Sequence, residues 1–185
     1  MNWRVDGIGC HCRPTLRRYL TSSDAALGLP RSGSSMWDAV RESSCSTFGP
    51  REIVELDLAE SMLLENRKKP EAKSAAHVCA EAQRPPFRDG SFDRVICFNA
   101  LPHFTPLDGS LRQMLHRLRP GGLLCIGHSM GSEQLNHFHS GVGGPVGHDR
   151  LPAARILGRL LSTLGAAVLC AEDEDGWYCV QARKP

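Results

Sequence analysis

The sequence lacks the features that mark a membrane protein, a secreted protein or a strongly charged binding protein. No apolar run approaches the eighteen or so residues that a membrane span needs, and the N-terminus has no apolar stretch of the kind found in secretory signals. The 22 basic and 20 acidic residues nearly balance, so there is no large excess of positive charge to bind a phosphate backbone or an anionic membrane. We therefore expect a cytoplasmic protein with no clear nucleic-acid partner and no membrane partner.

A disulfide or zinc framework is also missing, although the chain contains eight cysteines. Only Cys10 and Cys12, which flank His11, have a metal-like spacing, and no second pair completes four ligands. We predict that the five cysteines inside apolar runs are reduced and buried in the core. These are Cys79, Cys97, Cys125, Cys170 and Cys179. We predict no metal site, and no feature of the sequence indicates an oligomeric state.

What is present from residue 51 onward is an alternation of short apolar runs with helical patterns, which is typical of a parallel sheet with crossover helices. Runs of strand length cover residues 53–58, 77–80, 94–98 and 123–127. Helical spacing of apolar residues covers 60–69, 111–118 and 156–164. Two last runs, 167–171 and 177–182, flank an acidic turn and predict an antiparallel hairpin. We expect an α/β fold, a three-layer sandwich around a mostly parallel sheet that ends in this hairpin.

Residues 1–50 differ from the rest of the chain. They contain several arginines but no lysine, are rich in serine and glycine at 31–35, and show little periodicity. Short helices are conceivable at 15–20 and 37–40. We therefore divide the chain into an atypical, partly unstructured segment, 1–50, and a domain, 51–185.

Two acidic residues each end a predicted strand. Asp57 lies between a strand and a helix, at the position where doubly wound sheets bind ligands, and its carboxylate can accept hydrogen bonds from both hydroxyls of a ribose. An equally simple interpretation is that Asp57 caps the helix that follows. Glu81 ends the next strand-like run, 24 residues further on.

The segment after Glu81 carries a family resemblance. An acidic residue is followed by Pro-Phe, then Asp-Gly-Ser, then Phe-Asp-Arg-Val, all within residues 81–95, and residues 117–124 read Arg-Leu-Arg-Pro-Gly-Gly-Leu-Leu. Together these motifs resemble class I S-adenosylmethionine-dependent methyltransferases, close to the type 11 branch. The resemblance extends from about residue 51 to 183. It implies a Rossmann-like fold, S-adenosylmethionine as cofactor and methyl transfer to a small-molecule acceptor.

The resemblance also implies roles for individual residues. Asp57 is expected to hold the ribose hydroxyls and Met62 to pack against the adenine. Glu81, where the family more often has aspartate, is expected to accept a hydrogen bond from the adenine amino group, and the backbone N–H of Ala82 to contact the ring. Asn99 opens the loop where the methyl donor and acceptor meet, so it is a candidate for both cofactor binding and catalysis.

Histidines at strand ends are the other candidates for chemistry. His103 and His128 each follow a predicted strand, so either can face the crevice as a general base, or be a structural histidine. The histidine-rich segment 131–149 would bind a metal only if its side chains converge. We favour a substrate-recognising lid for it.

One family feature is absent. A glycine loop of the form Asp-x-Gly-x-Gly-x-Gly is expected about twenty residues before Asp57, and residues 37–48 contain none. The nearest candidate, 5–12, has two glycines and lies too far from Asp57. Three accounts fit this absence. Residues 21–50 are an insertion or translated non-coding sequence after a worn glycine loop, the first fifty residues are an unrelated replacement, or the domain is a non-catalytic relic. A methyltransferase-like binding protein is thus the alternative to an enzyme, with a metal-dependent protein as a third hypothesis.

Overall fold

A computed structural model of the chain describes residues 36–41, 52–68, 75–142 and 144–185. Seven strands form one sheet in the order β3-β2-β1-β4-β5-β7-β6. The strands are β1 (Met36–Arg41), β2 (Glu52–Asp57), β3 (Ala76–Cys79), β4 (Phe92–Phe98), β5 (Leu118–His128), β6 (Ala167–Glu174) and β7 (Trp177–Arg183). The helices are α1 (Glu60–Arg67), α2 (Leu107–Arg117), α3 (Ser132–Val142) and α4 (Ala154–Thr163), with short 3-10 turns at Leu101–His103 and Gly144–His148.

The directions of the strands confirm the α/β fold and the terminal hairpin. Strand β2 pairs parallel with β3, and β4 pairs parallel with β5. Strand β7 runs antiparallel to both β5 and β6, and Gly176 in the tight turn between β6 and β7 has a φ of 72°. Five of the seven described strands, β2 to β6, therefore point the same way, and their carboxyl ends meet at one edge of the sheet, here called the carboxyl edge.

Strand β1 is the exception, because it lies between β2 and β4 and runs antiparallel to both. Trp37 is paired with Leu56 on one side and with Cys97 on the other. A short helix at 37–40 is therefore wrong, since two flanking ladders decide the backbone over weak local propensity. The sheet thus begins before residue 51. That the rest of residues 1–50 form an atypical, partly unstructured segment stays a prediction. The helix expected at 15–20, the glycine pair at 5–12 and the cysteines at 10 and 12 lie outside the described residues.

Helices cover both faces of the sheet. The larger core contains Leu56 and Val95 from the strands together with Met114 of α2 and Leu157 of α4, each at most 2% exposed. Glu55 is the neighbour of Leu56 in the strand, so its side chain points to the opposite face. There it accepts a hydrogen bond from Asn66 Nδ2 of α1 at 3.4 Å. The three-layer arrangement expected from the sequence is therefore present. None of the helices that the structure describes is long and apolar enough to cross a bilayer.

A single carboxylate fixes the beginnings of α3 and α4. Asp173 of β6 accepts hydrogen bonds from the N–H and the hydroxyl of Ser132, at 2.8 and 2.7 Å, and from the N–H of Ala154 at 3.0 Å. The N–H groups of a first helical turn have no partner within their own helix, so a carboxylate there is stabilising. Both helices are thereby anchored to the carboxyl edge.

Candidate functional site

A cleft of about 410 Å³ opens at the carboxyl edge, between the ends of β2 and β3 on one side and the segment after β4 on the other. Small-molecule sites commonly have volumes in this range and lie at this edge of a doubly wound sheet. The cleft is lined by Leu56, Asp57, Leu58, Ala80, Glu81, Ala82, Gln83, Arg84, His103, Phe104, Thr105 and Pro106.

Asp57 ends β2 at the floor of the cleft and is only 4% exposed. Its Oδ1 accepts a hydrogen bond from the N–H of Ala59 at 2.8 Å. Ala59 is the N-cap residue of α1, and no side chain caps the first turn of this helix, so the interpretation of Asp57 as a helix cap is wrong. Burial raises the pKa of this carboxyl, while the backbone N–H groups of Ala59 and Leu58 act in the opposite direction. A carboxylate has about four acceptor sites, so the bond from Ala59 leaves capacity for a ligand hydroxyl.

Glu81 and Ala82 follow β3 on the same wall. The N–H of Ala80 donates to the carbonyl oxygen of Asp57 at 3.1 Å, which holds the two strand ends together. The side chain of Glu81 is 52% exposed and its carboxylate is 4.0 Å from the guanidinium of Arg84, too far for a hydrogen bond. Ala82 is buried and contributes an apolar surface. The structure therefore brings Asp57, Glu81 and Ala82 together in one cleft.

The opposite wall is formed by residues 103–106. Gln83 Nε2 donates to the carbonyl oxygen of Thr105 at 3.2 Å and so connects the two walls. His103 Nδ1 lies 2.7 Å from Asp149 Oδ2, a contact between residues 46 positions apart in sequence. Sequence reasoning did not find this pair, nor the contribution of Gln83, because no spacing rule links such distant positions.

Asn99 and Met62 are not among the residues that line this cleft. Asn99 has a left-handed backbone with a φ of 52°, and its Oδ1 accepts from the N–H of Ser129 at 2.9 Å. Its side chain therefore joins the ends of β4 and β5. Met62 is half-buried on α1. The cofactor and catalytic roles of these two residues stay predictions.

His128 behaves as a structural histidine. It is 8% exposed, and burial lowers its pKa to about 4, with smaller effects from the nearby His139 and His103, although the bond to Met130 acts in the opposite sense. Its Nδ1 accepts from the N–H of Met130 at 2.9 Å, so the neutral ring carries its hydrogen on Nε2. That tautomer leaves His128 no free nitrogen lone pair for general-base chemistry.

The histidine-rich segment 131–149 folds mainly as α3 and a 3-10 turn. Among the residues that the structure describes, no group of three or more histidine, cysteine or acidic side chains could hold a metal. His139 is buried, with Nδ1 at 3.1 Å from the carbonyl oxygen of Asp149. The segment thus reaches the cleft through Asp149, which contacts His103.

Two carboxylates at successive strand ends line one cleft beside an apolar wall, at the edge where doubly wound α/β domains bind ligands. A family model described as a methyltransferase domain matches residues 40–126. A solved S-adenosylmethionine-dependent methyltransferase from Thermotoga maritima superimposes with a TM-score of 0.59 at 14% identity, covering 70% of this chain and 72% of that one. At this identity the likeness concerns the fold alone.

Curated relatives show similarity in sequence as well. The chain is 37% identical over 75 residues to a demethylmenaquinone methyltransferase of Beutenbergia cavernae, which covers 40% of this chain and 30% of the relative. It is 32% identical over 107 residues to a ubiquinone/menaquinone biosynthesis C-methyltransferase of Roseobacter denitrificans, covering 52% of this chain and 43% of the relative. The matched regions thus span less than half of either relative. Taken together with the fold, these matches show that the chain is similar to class I S-adenosylmethionine-dependent methyltransferases.

The described residues fit one half of the family's cofactor. The carboxylates of Asp57 and Glu81 and the surface of Ala82 offer the acceptors and apolar contact that an adenosine group requires. For the methionine half, the family pattern needs a glycine turn where the first strand ends at the carboxyl edge. Here β1 ends at Arg41, which is paired with Glu52 at the opposite edge. The residues that could hold the cofactor, among those described, are therefore suited to its adenosine half.

Proposed function

We propose that this chain is an S-adenosylmethionine-dependent methyltransferase that binds the adenosine group of its cofactor in the cleft at the ends of β2 and β3. The observation that carries the proposal is that Asp57 and Glu81 line the same cleft. In this proposal Asp57 accepts hydrogen bonds from the ribose hydroxyls and Glu81 accepts one from the adenine amino group. The N–H of Ala82 contacts the ring, and Met62 supports it from α1.

In this proposal the side chains of the protein need to supply little of the chemistry of methyl transfer. The bound cofactor supplies a methyl group that is already activated, so the protein chiefly aligns the acceptor and excludes water. Asn99 keeps the loop after β4 against β5 through its bond to Ser129. His103 lies on the wall opposite Asp57 and is the candidate proton acceptor of this cleft.

We further propose a small-molecule acceptor with a hydroxylated ring. The two curated relatives named above are quinone methyltransferases, and the cleft volume of about 410 Å³ suits a small molecule beside a nucleoside. The near-balance of basic and acidic residues is also more typical of a small, uncharged acceptor than of a nucleic acid.

Isothermal titration with S-adenosylhomocysteine tests cofactor binding. We expect measurable binding, weakened in Glu81→Ala by about 1.5–3 kcal/mol, the scale of a hydrogen bond to a charged group. The matched control is Glu65→Ala, because Glu65 is an exposed glutamate on α1 that pairs with the neighbouring Lys68. No binding at millimolar ligand, or equal loss in both variants, contradicts the adenosine assignment.

The reversed β1 favours a second candidate function, a non-catalytic binding protein that retains the adenosine half of the site. This candidate predicts similar affinities for adenosine and S-adenosylhomocysteine, because the homocysteine tail adds no contact. An enzyme instead needs contacts to the tail and binds S-adenosylhomocysteine more tightly. Titrating both ligands against the full chain therefore separates the two candidates.

A further inference from the structure

We propose that His103 and Asp149 form a proton-accepting dyad, in which Asp149 orients the imidazole so that Nε2 takes the proton of a hydroxyl group on the methyl acceptor. This inference rests on the proposed methyltransferase function and adds to it a positioning residue and a requirement on the acceptor. The acceptor must carry a hydroxyl whose proton is lost as the nucleophile forms.

The first step of the argument is the tautomer of His103. Its Nδ1 lies 2.7 Å from a carboxylate oxygen of Asp149, and a carboxylate can only accept a hydrogen bond. The proton of the neutral imidazole is therefore on Nδ1, which leaves the lone pair on Nε2. His103 lines the cleft and its side chain is 30% exposed, so Nε2 is the nitrogen left for a ligand.

The second step is that Asp149 is held in position. Asn136 of α3 bonds to both polar backbone groups of Leu151, accepting from its N–H at 2.8 Å and donating to its carbonyl at 2.9 Å. The carbonyl of Asp149 itself is contacted by His139 and by the guanidinium of Arg150. The segment that carries Asp149 is thus bound to α3 at several points. A base whose orienting group is fixed in this way is preorganised.

The proton transfer balances without any further reactant. The O–H bond of the acceptor breaks, an Nε2–H bond forms, and the electron pair stays on the acceptor oxygen. The resulting imidazolium is stabilised by the carboxylate of Asp149 and later returns its proton to water. The charged or titratable groups around His103 are Asp149, His139 and His128, with Asp57, Glu81 and Arg84 in the cleft.

The dyad can be tested without turnover, by long-range ¹H–¹⁵N spectra of the histidine rings in the full chain. We expect His103 in the form with hydrogen on Nδ1, and a shift toward hydrogen on Nε2 in Asp149→Asn, whose amide can donate to Nδ1. Asp149→Glu should retain the wild-type tautomer, and the exposed His148 serves as the unchanged internal control. A wild-type ring with hydrogen on Nε2, or a spectrum unaffected by Asp149→Asn, overturns the dyad.

The base role is tested by methyl transfer to 1,4-naphthohydroquinone as the probe acceptor. His103→Gln and Asp149→Asn should each lower kcat by about 10²- to 10⁴-fold, and the double variant no further, because the two residues act as one unit. Affinity for S-adenosylhomocysteine should be unchanged. Full activity in His103→Gln, or an unaltered pH profile, overturns the base role. Absence of S-adenosylhomocysteine binding in the wild type is instead a failure of the proposed function, and the ring spectra still decide the dyad.

Discussion

Replacing Asp57 by asparagine should make the unliganded protein more stable and its nucleoside binding weaker. The substitution keeps the size of the side chain and an oxygen that can accept from the N–H of Ala59, but removes a charge from a group that is 4% exposed. Burial raises the pKa of this carboxyl, so the folded state pays for holding the charge near neutral pH. A residue that costs stability where it lines a cleft is typical of a binding site.

The sign and scale of each effect follow from the same carboxylate. Because the folded protein holds the proton of Asp57 more tightly than the unfolded chain, stability falls as the pH rises from the ordinary value of 3.8 through the raised value. The Asp57→Asn variant lacks this carboxyl, so its stability should fall less as the pH rises. In binding, it loses a charged acceptor for ribose hydroxyls, about 1.5–3 kcal/mol or roughly 10- to 150-fold in affinity.

Urea unfolding between pH 3 and 8 and titration with S-adenosylhomocysteine measure the two effects separately. Asp175→Asn is the control, because Asp175 is exposed in the turn between β6 and β7, away from this cleft. It should alter neither stability nor affinity by more than about 0.5 kcal/mol. The reasoning is refuted if Asp57→Asn destabilises the unliganded protein at pH 7, or if the variant binds with wild-type affinity.

Three further predictions concern stability. Since burial lowers the pKa of His128 to about 4, the wild type should lose about 3 kcal/mol as the pH falls from 6.5 to 4, and His128→Gln should flatten that part of the profile in urea unfolding. Asp173→Ala should cost about 1–4 kcal/mol in the same assay, because two helix beginnings lose their acceptor; a cost below 0.5 kcal/mol contradicts the shared cap. Leu157→Ala should cost about 2–5 kcal/mol, whereas its exposed neighbour Ile156 should tolerate alanine almost without loss; similar losses at both positions would show that α4 does not pack as described.

The architecture was predictable because its signals are local. Apolar runs of strand length and apolar residues at helical spacing each report one element, and the buried residues Val95, Met114 and Leu157 belong to such patterns. The turn at 172–176 lies between two apolar runs and folds as the predicted hairpin. The convergence of Asp57 and Glu81 follows from the same logic, because adjacent parallel strands bring their carboxyl ends to one edge.

The direction of β1, the contact between His103 and Asp149 and the structural role of His128 depend on contacts that local sequence patterns do not encode. The run 36–41 can form a strand in either direction, and only its pairing with Leu56 and Cys97 fixes the antiparallel one. The bond between His103 and Asp149 joins two loops, and their separation of 46 residues follows no periodicity. His128 and His103 both follow a predicted strand in the sequence, but burial and a bond from the N–H of Met130 make His128 structural.

The reversed strand also explains why the two functional hypotheses agree on one half of the cofactor and differ on the other. Asp57 and Glu81 belong to β2 and β3, whose parallel pairing does not depend on the direction of β1. The first residue of β1, Met36, is paired with Phe98 at the carboxyl edge, whereas its last residue is paired with Glu52 at the far edge. The last residue of β1 therefore lies at the edge of the sheet away from the cleft. Contacts to adenosine and contacts to the methionine tail can therefore be tested separately. The difference in affinity between adenosine and S-adenosylhomocysteine measures how strongly the chain binds the tail.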